Sequence, residues 1–298
     1  MKLHQLRALV ACSEHRSLRE TADSLSLSHP AITKSIRDLE DELGVPLIVK
    51  SPRGIELTRY GSVLCERSRQ IMEDMRRASE EIEQLKGGGA GRVSIGVTAT
   101  MALCVMPAVL SVLRESMPDV EVEVLELPLN GYSHRLLDGT LDFFVTHSPR
   151  EIDPDCECIE IGEGHLFATV RRGHLASHIR SLVELVEFEW LFPVQIVGRP
   201  HFSAVFTDLG IPAPKKVIAS QSSLLALGLV TQTDVIGLFS LPYATHPLIR
   251  DRVDVLHLDD PLPDVRTGIV RRSGVRLTPA AQHCLEAVQN VIKGLDWK

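Results

Sequence analysis

The pattern of apolar residues predicts three short helices at the start of the chain. In each segment an apolar residue recurs every three or four positions, the spacing that gives a helix one buried face. The apolar positions are, in order, Leu3, Leu6, Leu9 and Val10; Leu18, Ala22 and Leu25; and Ala31, Ile32, Ile36, Leu39 and Leu43. The opposite face of the third helix is polar and partly basic.

Local signals mark where the second and third helices begin. Ser17 and Glu20 have the spacing of a capping box. Ser28 is a favourable N-cap, and Pro30 falls in the first turn, where its missing N–H costs little. This tight pair of helices predicts a helix-turn-helix, whose second helix lies in the DNA major groove. The residues expected to face DNA are Ser28, His29, Pro30, Thr33, Lys34 and Arg37.

A strand, a turn and a second strand follow the third helix. Residues 45–49 and 55–57 are the predicted strands, and Ser51-Pro52-Arg53-Gly54 is the turn. Such a hairpin beside a helix-turn-helix is a wing. Arg53 at its tip is expected to enter the minor groove or to contact phosphate.

Residues 59–86 predict one long helix, with Thr58 as its cap. Its apolar seam alternates steps of four and three and runs through Leu64, Ser68, Ile71, Met75, Ala78, Ile82 and Leu85. A seam of this kind joins two helices in a coiled coil. At about 1.5 Å per residue the helix spans roughly 42 Å, enough to hold two DNA-binding domains about one turn of DNA apart. We therefore expect dimerisation through Leu64, Ile71, Met75, Ala78, Ile82 and Leu85; a helix packed only on its own domain is the alternative.

The glycine-rich stretch at 87–91 ends this helix and predicts a hinge. From Arg92 onward strand-like and helix-like segments alternate, which indicates an α/β fold in two halves. The expected elements include a strand at 93–97, a helix from Leu103 to Arg114, a strand at 120–127 and a closing amphipathic helix at 279–292.

Composition and charge refine this picture. The 298 residues suggest two or three domains, and a hydrophobic content of 44% supports substantial cores. The chain has no run of 18 apolar residues and does not begin like a signal peptide, so we expect a cytoplasmic protein without membrane contact. The net charge of −7 lies wholly beyond residue 90, because the first 90 residues carry 14 basic and 14 acidic side chains. Local basicity near the predicted DNA-facing helix matters more for phosphate contact than the total.

The first 60 residues or so resemble the winged helix-turn-helix of LysR-type transcriptional regulators. The matching stretches are SLRETADSLSLSHPAITKSIRDLEDELGVPLI and RGIELTRYG. Two positions depart from the family pattern: His29 stands where Gln is usual, and Ile48 where Phe is usual. The first position faces bases, so the half-site preference of relatives does not carry over to this chain.

The second part of the chain resembles the LysR effector domain, which folds like a periplasmic solute-binding protein. The matching stretches are RVSIGVTATMALCVMPAVL, LLDGTLDFFVT, SSLLALGLVTQTDVIGLFSLP and LTPAAQHCLEAV. The resemblance implies two α/β subdomains, about 92–161 with 268–298 and about 162–267, with chain crossings near 161–165 and 264–267. The expected domains are therefore 1–58 (winged helix-turn-helix), 59–86 (dimerisation helix), 87–91 (hinge) and 92–298 (effector binding).

A ligand is expected in the cleft between these subdomains, where strands end and helices begin. Free N–H groups at helix N-termini favour a small anion, such as a carboxylate or an aromatic acid. Each serine or threonine hydroxyl at these strand ends, taken alone, is also explained as a simple helix cap. The candidate effector-binding residues are Thr98, Thr100, Met101, His147, Val194, Ile196, Phe202 and Ser222.

Other functional classes fit the sequence less well. There is no G-x-S-x-G nucleophile motif, and the histidines lack a metal-ligand spacing, so we expect no enzyme activity, cofactor or metal. A redox sensor using Cys156 and Cys158 is one alternative, and a solute-binding protein without a role in transcription is another.

The family resemblance also implies partners and a mode of action. It implies a homodimer that assembles into a homotetramer, an operator that is an inverted repeat, and contact with RNA polymerase. It further implies that the effector alters DNA bending and thereby transcription.

Overall fold

The computed structural model of the protein describes residues 1–51, 54–86, 91–129, 131–147, 152–193, 205–207, 209–262 and 264–297. The side chains at 50, 84, 85, 147 and 193 lie outside this description. Two compact units are present, Met1–Gly87 with Leu137–Thr140 and Gly88–Leu136 with Leu141–Lys298. Within the described ranges, no helix combines the length and apolar character needed to cross a membrane.

The first unit contains the predicted helices and wing. In chain order its elements are α1 (Leu3–Glu14), α2 (Leu18–Ser24), α3 (His29–Leu43), β1 (Ile48–Ser51), β2 (Gly54–Leu57) and α4 (Arg59–Leu85). The apolar stripes of the first three helices meet in one core, where Leu9, Ile32 and Leu39 are completely buried. Burial of these stripes explains why the three short helices are stable together, since short helices alone are marginal in water.

Hydrogen bonds fix the turns of this unit. Ser17 caps α2 by accepting a hydrogen bond from the Glu20 N–H. Ser28 occupies the N-cap position of α3 as predicted, but its side chain makes no cap bond within the described residues. The turn between these helices instead uses Ser26 in the left-handed region (φ 54°) and a bond from Leu27 N–H to the Ala22 carbonyl (2.9 Å).

The wing is attached to the helices at two places. The Glu40 carboxylate accepts hydrogen bonds from the backbone N–H of Leu47 (2.7 Å) and Ile48 (3.2 Å). At the other end, the Ile55 N–H donates to the Arg16 carbonyl (3.0 Å). Gly54 has φ +120°, and a Cβ at this position would lie 2.1 Å from the same carbonyl oxygen. Only glycine therefore fits here, and the position of the wing follows from that contact.

The second unit is built on one nine-stranded sheet. The strands are β3 (Gly91–Val97), β4 (Val120–Glu126), β5 (Phe143–His147), β6 (Cys156–Arg171), β7 (Glu189–Pro193), β8 (Val217–Ser220), β9 (Val235–Ser240), β10 (Val253–Val255) and β11 (Asp264–Arg272). Their order is β4-β3-β5-β11-β6-β9-β7-β8, with β10 paired to β6. The pairs β3–β4, β3–β5, β7–β8 and β7–β9 are parallel.

Helices cover the two ends of this sheet and define two lobes. Lobe I contains β3–β5 with α5 (Ala99–Cys104), α6 (Met106–Ser116), α7 (Ser133–Leu137) and α11 (Pro279–Lys293). Lobe II contains β7–β10 with α8 (Leu182–Leu185), α9 (Ser223–Gln232) and α10 (Leu241–Ala244). Each lobe has its own core: Phe143 and Val288 are completely buried in lobe I, and Trp190 and Phe206 in lobe II.

The single helix expected from Leu103 to Arg114 is two helices in the structure. Helix α5 ends at Cys104, Val105 has φ −112° and ψ −49°, and α6 begins at Met106 with Pro107 in its first turn. Proline has no N–H for the helical ladder and clashes with the preceding turn, so it begins a helix more readily than it continues one.

Strands β6 and β11 connect the two lobes. Residues 156–165 of β6 pair antiparallel with β11, and residues 166–171 of the same strand pair with β9 and β10. The β6–β11 register shifts between Thr267 and Gly268. Near the crossing, the His165 N–H donates to the carbonyl of Trp297 (3.1 Å), and a Cβ at Gly164 would lie 2.5 Å from that oxygen. The C-terminal segment thus packs directly on the strand that links the lobes.

Candidate functional site

Helix α3 presents a polar face to solvent. Ser28, His29, Pro30, Thr33, Lys34 and Arg37 are all exposed. On the opposite face Ile32 and Leu39 are 0% exposed and Ile36 is 2% exposed. The Thr33 hydroxyl donates to the His29 carbonyl (3.0 Å), which leaves its oxygen able to accept a bond. This division between buried and exposed faces is what a helix needs to reach into a DNA groove while it stays packed on its domain.

A groove of about 600 Å³ lies between α2, α3 and the wing. His29, Thr33 and Arg37 line it together with two arginines, Arg16 and Arg19, that sequence reasoning did not single out. In the sequence, Arg16 and Arg19 are recognisable as candidates by their position beside the Ser17–Glu20 capping box at the start of α2. Arg53, the predicted wing-tip contact, lies outside the described residues.

An exposed apolar stripe runs along α4. Ile71 is 41% exposed, Met75 49% and Ile82 54%, and Ala78 between them is also exposed. Leu64 departs from the expected seam, because it packs against the core of the first unit. Tyr60 and Val63 are instead the exposed apolar side chains at that end of the helix, at 58% and 60%. The side chain of Leu85 lies outside the described residues.

The second unit contains a cavity of about 290 Å³ between lobe I and lobe II. Lobe I contributes Thr98, Ala99, Thr100 and residues 126–129. Lobe II contributes Leu191, Phe192, residues 220–223, Ala226, Leu238, Phe239 and Tyr243. These residues cluster at the carboxyl ends of β3, β4, β7 and β8, where ligands of α/β proteins usually bind. The volume is near the lower limit of about 300–1,000 Å³ for small-molecule pockets.

The cavity contains some of the predicted effector-binding residues and excludes one. Thr98, Thr100 and Ser222 line it. Met101 does not: its side chain is 0% exposed within the core of lobe I. The expectation for Met101 is therefore wrong, because α5 turns this side chain toward the sheet. Val194, Ile196, Phe202 and the side chain of His147 lie outside the described residues.

The hydroxyl groups of the cavity differ in what they already bind. Ser222 Oγ accepts a hydrogen bond from Leu225 N–H (3.2 Å) and so caps α9. Thr98 occupies the N-cap position of α5 without a cap bond, and its buried hydroxyl has no hydrogen-bond partner in the described part of the chain. A buried hydroxyl without a partner carries a desolvation cost that a suitable ligand would remove.

Sequence reasoning missed the charged and aromatic residues of the cavity. Glu126 ends β4 at the cavity edge, and Phe239 and Tyr243 have ring centroids 5.0 Å apart on the lobe II side. The pKa of Tyr243 is raised, chiefly by burial, with smaller contributions from Cys104 and Glu126. The signal for Glu126 was its place at the end of a strand next to β3, at the sheet edge already chosen for Thr98 and Thr100.

Burial favours the protonated thiol at Cys104 and Cys156. Cys156 and Cys158 are free, two positions apart on β6. Burial raises the pKa of Cys156 to about 11 and that of Cys104 to about 12. A thiol must be deprotonated to act as a nucleophile, so these values oppose the redox-sensing alternative. No cluster of metal-ligating side chains is present among the described residues.

Comparison with known proteins identifies the family. The model of the LysR substrate-binding domain matches residues 86–293, and that of the bacterial regulatory helix-turn-helix protein of the lysR family matches residues 3–62. The HTH-type transcriptional regulator GbpR of Azospirillum brasilense is 32% identical, covering 80% of this chain and 72% of the relative. GbpR of Rhizobium radiobacter is also 32% identical, covering 79% and 80%.

The fold is likewise similar to that of solved proteins. The crystal structure of ArgP from Mycobacterium tuberculosis superposes with a TM-score of 0.72 at 19% identity, covering 98% of this chain and 97% of that one. Two family models that together span nearly the whole chain establish its membership. This protein belongs to the LysR family of DNA-binding transcriptional regulators, which is not a family of enzymes.

Proposed function

We propose that this regulator senses a small molecule in the cavity between its lobes and thereby changes how its assembly bends operator DNA. The observation that carries this proposal is that both lobes supply walls of one cavity. A ligand held by both walls binds one arrangement of the lobes more tightly than another and so shifts the population between them. Couplings of this kind are usually about 1–3 kcal/mol.

The same proposal assigns a function to each region of the chain and names the partners of the regulator. Residues 1–58 would bind an operator that is an inverted repeat, 59–86 would pair two subunits, 87–91 would act as a hinge and 92–298 would bind the effector. The regulator would work in the cytoplasm and contact RNA polymerase. The sequence favoured a carboxylate or aromatic acid as the effector because of two helix N-termini. The carboxylate of Glu126 in the cavity lining works against that choice.

Assembly beyond a dimer is proposed through the second unit. Helix α9 exposes Leu224 (81%) and Leu225 (52%), and its one buried residue is Val230. Val112 on α6 (41%) and Val124 on β4 (37%) are also exposed. Exposed apolar side chains concentrated on regular elements support an interface between subunits.

Leu224→Glu should convert a tetramer into a dimer, because it places a charge in an apolar contact. Multi-angle light scattering checks the mass, with Leu248→Glu as the matched control, since Leu248 is 73% exposed in a different segment. A tetrameric Leu224→Glu variant would remove α9 from the proposed interface.

The sensing role is tested with the hydroxyls of the cavity. Thr100→Val with Ser222→Ala should abolish the ligand response while DNA binding persists, because the double variant removes two polar groups from opposite walls. A screen of small metabolites is read by thermal shift and by DNA footprint. Ser222→Ala alone also loses the α9 cap, which costs about 1 kcal/mol, so its intrinsic stability is measured first.

Thr207→Val is the matched control for the same polar-to-apolar change. Thr207 is exposed and does not line the cavity. If the double variant responds to ligand as the wild type does, the cavity is not the sensing site.

A further inference from the structure

The cavity has an unusual balance of charge. In the described part of the chain its lining contains one carboxylate, Glu126, and no lysine, arginine or histidine. The other polar lining groups are threonine and serine hydroxyls, Gln221 and the phenol of Tyr243. The one charged group among the described lining residues is therefore negative.

Strand pairing fixes where Glu126 lies. Glu126 is in register with Val97 on the parallel strand β3, and the Leu127 N–H donates to the Val97 carbonyl (2.9 Å). Thr98 and the start of α5 follow Val97 directly. Glu126 is thus held at the mouth of the cavity, beside the threonines of lobe I.

Glu126 also differs from its neighbour on the same strand. Glu123 accepts hydrogen bonds from Arg92 (2.7 Å) and Ser94 (2.9 Å), and the Arg92 bond lowers the pKa of Glu123. Within the described residues Glu126 has no hydrogen-bond or ion-pair partner. Its acceptor oxygens are available to a ligand.

Aromatic and aliphatic side chains form the facing wall. Phe239 and Tyr243 pack with an interplanar angle of 50°, and Phe192, Leu191 and Leu238 extend the apolar surface. Aromatic faces carry partial negative charge, so they bind C–H groups and cations better than anions. The aromatic wall and the Glu126 carboxylate therefore both favour a neutral or positively charged ligand over an anion.

We propose that Glu126 selects an effector without negative charge, one that donates a hydrogen bond from a hydroxyl or ammonium group to this carboxylate and lays an apolar face on Phe239 and Tyr243. The proposal rests on the sensing role proposed for the cavity. An acid would place a second negative charge beside the Glu126 carboxylate, which is exposed at the cavity mouth, and two like charges at close range repel. The N–H groups at the start of α9 offset this only in part, because Ser222 already binds one of them.

Matched probes separate the possible ligand chemistries. Full-length protein is mixed with benzyl alcohol, benzylamine and benzoate, and separately with glucose, glucosamine and glucuronate. In the first set the hydroxymethyl group of benzyl alcohol is replaced by an aminomethyl group or by a carboxylate. In the second set the 2-hydroxyl of glucose is replaced by an amine in glucosamine, and its 6-hydroxymethyl group by a carboxylate in glucuronate. Thermal shift at tens of millimolar and a DNA footprint report binding and response.

We expect the alcohol or amine member of at least one set to stabilise the wild type, and the acid to have no effect. Glu126→Gln should weaken the amine by about tenfold and the alcohol less, since the amide keeps one acceptor but loses the charge. A loss confined to the amine identifies an ammonium ligand, and a similar small loss for both identifies a hydroxyl ligand. Glu121→Gln removes the same charge from an exposed position on β4 outside the cavity and should change nothing.

Two results would overturn the proposal in distinguishable ways. A shift by the acids alone, unchanged or weakened in Glu126→Gln, removes the selection by Glu126 and leaves the sensing role intact. A shift by an alcohol or amine that Glu126→Gln leaves unchanged also removes the selection by Glu126. If Thr100→Val with Ser222→Ala leaves that shift unchanged as well, the sensing role of the cavity fails with it.

Discussion

Met75→Asp should break the pairing through α4, leave at most dimers joined through the second unit, and reduce operator affinity by two orders of magnitude or more. Met75 is 49% exposed at the middle of the α4 stripe, with Ile71 and Ala78 on either side. In a symmetric pair of helices the substitution would place two carboxylates in one apolar contact. Burying unpaired charges costs several kcal/mol, enough to break a modest interface. Losing the partner also removes the second half-site contact, so affinity falls much further than for one lost side chain.

Light scattering and gel shifts on the same preparation measure both effects. Met75→Leu is the matched control, because it conserves volume and apolar character and should leave assembly unchanged. A Met75→Asp protein with the mass and operator affinity of the wild type would show that α4 does not join the subunits.

Arg37→Ala should reduce operator affinity by about 10- to 100-fold while its effect on random DNA is small. Arg37 is exposed on α3 and lines the groove with His29 and Thr33. An arginine that reads a base edge contributes about 1–3 kcal/mol of discrimination, whereas one that grips phosphate contributes to all sequences equally. Competition gel shifts with operator and random duplexes separate the two cases.

Arg7→Ala controls for the lost charge, since Arg7 is exposed on α1 and does not line the groove. If Arg37→Ala weakens both duplexes equally, Arg37 contacts the backbone and base reading belongs to other residues of α3.

Local patterns predicted the first unit well because its helices are specified locally. The stripe through Ile32, Ile36 and Leu39 is visible in the sequence and is buried in the structure. The bond from Gly61 N–H to Thr58 Oγ1 (3.0 Å) likewise confirms the predicted cap of α4. Ser28 is the N-cap residue of α3 as predicted, but the sequence does not reveal that its side chain makes no cap bond.

The cavity was harder to predict because it depends on contacts distant in sequence. The assignment of Met101 failed because a helix as short as α5 has too few residues for its apolar spacing to show which side chain faces the core. Glu126 was missed because its importance depends on the register between β3 and β4, more than twenty residues apart in the chain. Hydroxyls at strand ends indicated the edge of the sheet at which the cavity lies, but they did not indicate the carboxylate of Glu126 beside them.

The path of the chain through the second unit has a consequence during synthesis on the ribosome. The helices and wing of the first unit are complete by residue 86, but the core of lobe I lacks β11 and α11 until residue 293. At about 5–20 residues per second, the roughly 200 residues between these points take about 10–40 s to translate. During that interval the nascent protein carries a folded DNA-binding domain while the apolar surface of β5 and α6 is still uncovered. The DNA-binding part of each subunit is therefore complete in the chain well before the sheet that forms its ligand cavity.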